Sequence, residues 1–517
     1  LAELLPHGYR EELAPRDFFG YALPAREIAR VWFPFLYGDA GEPYEGRWPP
    51  VATTGYVGFV PLFLGVHAML RRGRDPYVRF WVIVAAVGVL LALGGATPLG
   101  QLAYRVPVLN QFRAPGRHLF EYGFALSVLA GIGIAAGDRV RPRALAGVSA
   151  ILALLLAVAW VTRPASDPDG WREFFLRGGV VLSILWWAAA AGAWLVSMRW
   201  RTLGPALLGG VLLLDSGSWS LLQKWRDDPP TAATFATPDS ARIYGERLRA
   251  SGQRFAPLSG VVGPPETLPP NRSRMWRVPS TGGYNPLRLR RFGELTTLGR
   301  RSGIDPAELA FHPLPLDLLA VRYLTVGAGD ARTAARLEDA GEWTRVAPLG
   351  GGVLYERTTP FPRAWLVPWV ERRAPEEILE AIRSGRLPGG TRFDPRAVAL
   401  VEAEVEGLPE AAALPPGASA TVTRIEPRRI DVRTSASGAA LLVLSDVHYP
   451  GWEVRCDGVP AALVRCDYAL MGTVVPAGEH EVSFRFRPAS LRLGAVISAL
   501  VALGLIVAVL GGSRLAR

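Results

Sequence analysis

GYVGFVPLFLGVHAMLRRGRDPYVRFWVIVAAVGVLLALGG, residues 55–95, sets two apolar runs on either side of one short basic connector. A helix that crosses a bilayer needs about 20 mostly apolar residues. The two runs, Gly55–Leu70 and Phe80–Gly95, fall just short and borrow flanking residues. Five further runs follow: Leu119–Ala136, Ala144–Val161, Gly178–Val196, Leu203–Leu222 and Leu493–Leu510. Buried helices of a soluble core would not give seven such runs joined by charged connectors. Half of the 517 residues are hydrophobic and mean hydropathy is +0.19, which agrees with a membrane protein.

The arginines orient the spans, because short cytoplasmic connectors retain Lys and Arg. Arg71, Arg72, Arg74 and Arg79 follow the first run. Arg139, Arg141 and Arg143 follow the third, Arg199 and Arg201 the fifth, and Arg514 and Arg517 the seventh. Every second connector is therefore basic and cytoplasmic. The remaining segments then lie outside: 1–54, 96–118, 162–174 and about 223–491. With residues 1–54 outside and no span ahead of them, further spans are expected upstream of Leu1.

The net charge of +11 raises the question of nucleic acid. Lys224 is the sole lysine, and many of the arginines sit between apolar runs, where topology explains them, so no nucleic-acid partner is expected. Residues 224–488 alternate strand-like runs with Pro and Gly. Helices are expected at Asp330–Ala340 and Pro375–Ser384, the latter with acidic residues early and arginine late. From Ala418 onward the runs TVTRIEPRRIDVRTS, AALLVLSDV, GWEVRCDG and HEVSFRFRP read as strands of a β-sandwich. The fold expected is a polytopic α-helical membrane domain plus an extracytoplasmic α+β region ending in a β-sandwich. Its parts are an external loop (1–54), about six spans (55–222), an α+β region (223–415), the sandwich (416–489) and a last span with a cytoplasmic tail (490–517).

Three blocks resemble a known family. SDVHYPGWEVRCDGVPAALVRCDYALMGTVVPAGEHEVSFRFRPASLRLG is similar to the C-terminal signature of bacterial YfhO-type membrane proteins. Tyr449, Pro450, Gly451 and Trp452 form its turn, Asp457 and Gly458 its hairpin, and Pro476, Gly478, His480 and Pro488 the approach to the last span. LALGGATPLGQLAYRVPVLNQFRAPGRHLFEYGFALSVLAGIGI resembles the family's membrane block, and NRSRMWRVPSTGGYNPLRLRRFGEL its Gly-Tyr-x-Pro-Leu segment. The resemblance implies a GT-C-like glycosyltransferase. It would take a polyprenyl-phosphate sugar as donor and modify a cell-envelope glycopolymer such as lipoteichoic acid outside the cytoplasm. In such enzymes the catalytic acid lies in the first external loop, expected here upstream of Leu1, so no catalytic residue is assigned.

A lipid phosphate at the outer face calls for arginine, whose planar fork donates two hydrogen bonds to phosphate oxygens. Arg113 and Arg117 fit, since they sit in an external connector where the topology rule does not place them. Glu121 in the third span, Asp215 in the sixth and Arg177 at the outer start of the fifth share that level, and charges within spans are costly. They read either as a polar cavity for the donor or as an Asp215–Arg177 or Glu121–Arg117 ion pair that locks helices together. Asp39, Glu42 and Glu45 are external carboxylates that read more simply as solvated. Trp452 and Tyr449 could stack on sugars, though aromatics beside a Pro-Gly turn more often plug a sandwich edge. His67, His312 and His480 are scattered, so neither metal nor cofactor is expected. Cys456 and Cys466 flank a turn without facing one another in a tight hairpin, which leaves a single disulfide as one option. Two other functions stay open: a non-enzymatic membrane protein that binds an envelope glycopolymer, and a lipid-linked sugar transporter.

Overall fold

A computed structural model describes the chain except residues 1–2, 9–12, 38–46, 49, 108, 137–141, 162–179, 201, 223–231, 259–264, 270, 284–288, 297–312, 409–416 and 516–517. It divides into two compact units, Glu11–Pro230 and a second built from Leu1–Arg10 with Thr231–Arg517. Residues 1–54, expected as one loop, are thus shared between the two.

The first unit is helical. Its long helices are α1 (Phe59–Arg72), α2 (Pro76–Ala92), α3 (Leu119–Ala135), α4 (Pro142–Val161), α5 (Val180–Arg199) and α6 (Gly204–Leu222). Each falls on an expected span. The first is shorter than read, because Gly58 is left-handed (φ +88°) and the helix starts only at Phe59. Fourteen residues rise only about 21 Å, short of the roughly 30 Å of a bilayer core. Asp75 caps α2 by accepting the Tyr77 N–H at 2.9 Å, with Pro76 at the first helical position.

Small residues let these helices approach. A Cβ on Gly133 of α3 would lie 2.1 Å from the Leu64 carbonyl of α1, and one on Gly88 of α2 would lie 2.8 Å from the His118 carbonyl. Such close seams suit a bilayer, where burial of apolar surface no longer drives association. Phe59, Phe63 and Leu64 of α1 form a core with Val148, Leu152, Ala190 and Trp194.

The second unit begins with helix α7 (Asp239–Ser251), which lays Ala241, Tyr244 and Leu248 on a four-stranded sheet. Its strands are β1 (Arg254–Pro257), β2 (Val321–Gly327), β3 (Trp343–Leu349) and β4 (Gly352–Arg357), in order β1-β2-β4-β3. Helix α8 (Ala331–Asp339) is capped by Asp330, and α9 (Pro375–Ser384) stands where the sequence places it.

The sandwich is larger than expected. One sheet contains β5 (Ala364–Val367), β6 (Trp369–Arg372), β7 (Val398–Val401), β10 (Ala440–Val447), β13 (Val464–Cys466) and β14 (Leu470–Val475), in order β5-β10-β14-β13-β7-β6. The other contains β8 (Ser419–Glu426), β9 (Arg429–Ala436), β11 (Trp452–Cys456), β12 (Val459–Ala461) and β15 (Gly478–Phe486), in order β12-β11-β15-β9-β8. Leu366, Leu442, Leu444 and Met471 from the first sheet meet Val432, Val454, Val482 and Phe484 from the second. The boundary at residue 416 therefore moves back to Ala364, because β5 pairs with β10 and β7 with β13. Cys456 and Cys466 stand in opposite sheets and are both free thiols, so the optional disulfide is not formed.

Strand β15 runs into α10 (Ala489–Leu515) through only Arg487 and Pro488. The turn before β11 latches this joint. Gly451 (φ +101°) accepts the Arg487 N–H at 2.6 Å, and a Cβ there would lie 2.8 Å from Pro488 Cα. Trp452 and Tyr449 pack on Phe486 with ring centroids 5.3 and 6.2 Å away, which makes them part of the joint. Among the described residues three helices are long and apolar enough to cross a membrane: Pro115–Ala135, Val180–Ser197 and Ala489–Ala508. Pro76–Ala92 and Leu145–Val161 are shorter apolar helices. None of Ala489–Ala508 is buried, so the apolar surface that follows Arg492 in the first turn is left for lipid.

Candidate functional site

In the helical unit, residues 94–118 form a ledge ahead of α3. Thr97 caps a short helix, Pro98–Arg105, by accepting the Gly100 N–H at 3.1 Å. The chain then turns through Ala114, which is left-handed at φ +75°. The Ala114 N–H donates to the Gly20 carbonyl and the Gly116 N–H to that of Tyr21, each at 3.1 Å. A Cβ on Gly116 would lie 2.5 Å from the Tyr21 carbonyl and 2.6 Å from that of Ala52, so the ledge is pinned where only glycine fits.

The pinning fixes Arg113. Its guanidinium lies 5.8 Å from the centre of the Tyr21 ring. Tyr21 stacks on Trp48 at 4.6 Å, and the Arg47 guanidinium lies 5.3 Å over Trp48. The result is a ladder of cation, aromatic, aromatic and cation. The Arg47 N–H donates to Glu27 at 3.2 Å. Glu27 is buried and has Arg30 at 3.6 Å and Arg26 at 3.8 Å.

Arg117 is exposed and has no ion-pair partner among the described residues. Glu121 is also exposed, and its carboxylate lies 3.1 Å from His118 Nδ1, so the Glu121–Arg117 pair read from the sequence gives way to Glu121–His118. Asp215 is buried. It accepts the Tyr56 hydroxyl at 2.6 Å and the Phe59 N–H at 3.1 Å, which satisfies an orphan donor at the start of α1. A Cβ on Gly55, four residues before Phe59, would touch Leu119 Cβ at 3.1 Å. The structure thus brings Asp215 and the Arg113–Glu121 segment to the same end of α1, opposite Arg71 and Arg72. Arg177, Asp39, Glu42 and Glu45 lie outside the described residues. Sequence reading missed Tyr21, Arg47, Trp48 and Glu27; the aromatic and arginine residues of 21–48 were the available signal.

The second unit holds a polar network that joins two of the three quoted blocks. Arg291 forks onto Glu402, with its second nitrogen 3.1 Å from the far carboxylate oxygen, and donates to the Tyr468 carbonyl at 2.9 Å. Its guanidinium lies 4.8 Å over the Tyr468 ring. The Tyr468 hydroxyl donates to Glu294 at 2.6 Å. Arg465 lies 3.5 Å from Glu402 and 3.3 Å from His448 Nδ1. Burial, aided by the positive charge of Arg465, lowers His448 to a pKa of about 4. Next to it, burial pushes the Asp467 carboxyl up to about 7. Elsewhere in this unit a cleft of about 560 Å³ opens beside β6, lined by Trp369, Glu371, Thr391, Arg392 and Asp394. It contains none of the residues singled out in the sequence.

Comparison with known proteins agrees with the expected resemblance. No curated protein matches the chain. Among solved structures, the single-particle cryo-EM structure of the arabinofuranosyltransferase AftD from Mycobacteria matches at 12% identity and a TM-score of 0.30. The match covers 92% of this chain and 40% of that one, and such a score does not establish a shared fold. Residues 386–498, from the strands of the sandwich into the start of α10, match the family described as bacterial membrane protein YfhO.

Proposed function

We propose that this chain acts as a membrane glycosyltransferase that takes its sugar from a polyprenyl-phosphate donor and passes it to a cell-envelope glycopolymer on the extracytoplasmic side. The observation that carries the reading is the ledge of Arg113 and Arg117 with the Tyr21–Trp48–Arg47 ladder beside it. Guanidinium groups suit the donor phosphate, and aromatic faces suit the sugar or the first isoprene units. The basic connector Arg71–Arg79 supports an external ledge, because it stands at the other end of α1. The donor carboxylate or base is not assigned to any residue of this chain.

The test is binding of an undecaprenyl-phosphate sugar to the purified chain in detergent. Arg113→Ala and Arg117→Ala should each weaken binding about ten- to a hundred-fold, the loss of one charge-assisted contact of about 1.5–3 kcal/mol. Arg117→Lys should recover only part of it, since an ammonium cannot fork onto two oxygens. Unchanged affinity in folded variants would leave these arginines as headgroup anchors.

A further inference from the structure

At the hairpin joining β11 to β12, three different metal-ligand side chains converge. Cys456 Sγ, a carboxylate oxygen of Asp457 and a ring nitrogen of His480 all lie within 4.8 Å of one another. The fold builds this grouping. Cys456 pairs with Val482 across β11 and β15, so His480, two residues earlier, projects from the same face. Asp457 and Gly458 make the turn with φ of +49° and +80°, which folds the Asp457 carboxylate back over β15. There Asp457 Oδ1 accepts the Glu481 N–H at 2.8 Å, and Oδ2 stands 2.6 Å from His480 Nδ1.

The hydrogen bonds around the imidazole are informative. Nδ1 faces the Asp457 carboxylate at 2.6 Å, and Nε2 faces the Ala477 carbonyl at 3.3 Å. Both neighbours are acceptors. A neutral imidazole has one proton and can satisfy only one of them. A metal ion that took the place of an Nδ1 proton would leave Nε2–H for Ala477 and would move Nδ1 and the carboxylate oxygen apart to about 3.3 Å. With Nε2–H donated to Ala477, the Nδ1 lone pair points at Asp457 and Cys456. This is how metal-bound histidines are held, with the distal N–H given to a carbonyl and the ligating carboxylate itself hydrogen-bonded. The side chain of His480 is 17% exposed, against 51% for Asp457, so a cation reaches the site from solvent at the Asp457 side.

We propose that Cys456, Asp457 and His480 bind a divalent zinc ion, with water as the fourth ligand. Thiolate, imidazole and carboxylate together are a zinc donor set, and tetrahedral zinc holds such atoms roughly 3.3–3.7 Å apart. Small rotamer changes bring the three atoms from their present spacing to that one. Binding releases the thiol proton from Cys456 and any second proton on His480, while the ion enters as Zn²⁺ with no change of oxidation state. The ion ties the β11–β12 hairpin to the start of β15, at the end of that strand far from α10, and so acts as a clamp between the two strands. Cys466, in the opposite sheet and fully buried, takes no part.

The test uses the full chain, purified in detergent without a polyhistidine tag and titrated with zinc chloride. The expected result is one zinc per chain at micromolar concentration, at least tenfold weaker binding in Cys456→Ser and His480→Gln, and unchanged binding in Cys466→Ser. Cobalt chloride should give a thiolate-to-metal charge-transfer band in the wild type and Cys466→Ser, and none in Cys456→Ser. Cys456→Ser is nearly isosteric, so its folding is secure, and thermal unfolding without metal checks it. Zinc should raise the melting temperature of the wild type alone among these two. No zinc at micromolar concentration, or equal affinity in Cys456→Ser, would overturn the proposal and leave the His480–Asp457 contact as an imidazolium–carboxylate pair.

Discussion

Replacing Asp467 by Asn should make the sandwich more stable at pH 8 and less stable, by up to about 1–3 kcal/mol, at pH 4. Asp467 is fully buried between β13 and β14. One carboxylate oxygen accepts the Leu400 N–H at 2.9 Å, while the other is buried with no hydrogen-bond partner among the described residues. Burial therefore disfavours the charge and raises the pKa from 3.8 to about 7. Each pKa unit is worth 1.36 kcal/mol, so ionisation costs the folded state about 4 kcal/mol relative to the unfolded chain. The folded state holds its proton more tightly, so this cost is full above pH 7, shrinks as pH falls and vanishes below about 4. An asparagine keeps the acceptor for Leu400 and carries no charge at any pH. Its amide group takes the place of the unpartnered oxygen at a cost of about 1–3 kcal/mol, leaving a net gain of roughly 1–3 kcal/mol at pH 8. His448 works in the opposite sense: its pKa is lowered to about 4, so its contribution to stability is lost as pH falls from 6.5 towards 4. It is common to both proteins and cancels in the difference. Hydrogen exchange at the Leu400 and Asp467 amides, which bond to one another's residues, reads the local stability of the detergent-solubilised chain. A variant that is less stable at pH 8, or a difference that does not change between pH 4 and 8, would refute the reasoning.

Two other outcomes are expected. A cysteine at the exposed Ser437, in a chain with Cys456 and Cys466 replaced by serine, should react with an impermeant thiol reagent on intact cells. Labelling only after lysis would invert the proposed topology. Asp215→Ala should destabilise the helical unit by about 3 kcal/mol, because the Tyr56 hydroxyl and Phe59 N–H both lose an acceptor, while Asp215→Asn should cost less. Melting temperatures of the two variants check this, and weaker donor binding with an unchanged melting temperature would instead place Asp215 at the ligand.

The helices were legible because a bilayer imposes a length and an apolarity that few other structures share. All seven apolar runs became helices. The interior of the sandwich was harder to read. Leu470–Val475 is a central strand, buried on both faces, and so lacks the alternation that marks β8 or β15. Ala364–Val367 and Val398–Val401 are only four residues each, flanked by Pro and charged residues, and are recognisable as strands only through their partners. At the ledge, Arg113 and Arg117 stood out because they break the topology rule. Tyr21, Trp48 and Glu27 break no rule, and only the chain's return past residues 20–21 and 52 gives them a place beside Arg113. Asp215 stood out as a costly charge, but the sequence could not show that Tyr56 and Phe59 already answer it. His480 looked isolated because its neighbours come from a turn 23 residues earlier.

The joint between β15 and α10 sets how force passes through the second unit. A span tethered by a flexible linker would let the sandwich drift and turn freely above the membrane. Here two residues separate strand from helix, one of them proline, and the Gly451 turn grips both. A push on the sandwich is therefore delivered to the span as tilt or rotation. The span's own leaning in the bilayer, in turn, steers the sandwich like a mast stepped into a hull. Lengthening the joint by a few glycines would uncouple the two without disturbing either, so the stiffness of this corner can be varied independently of everything it connects.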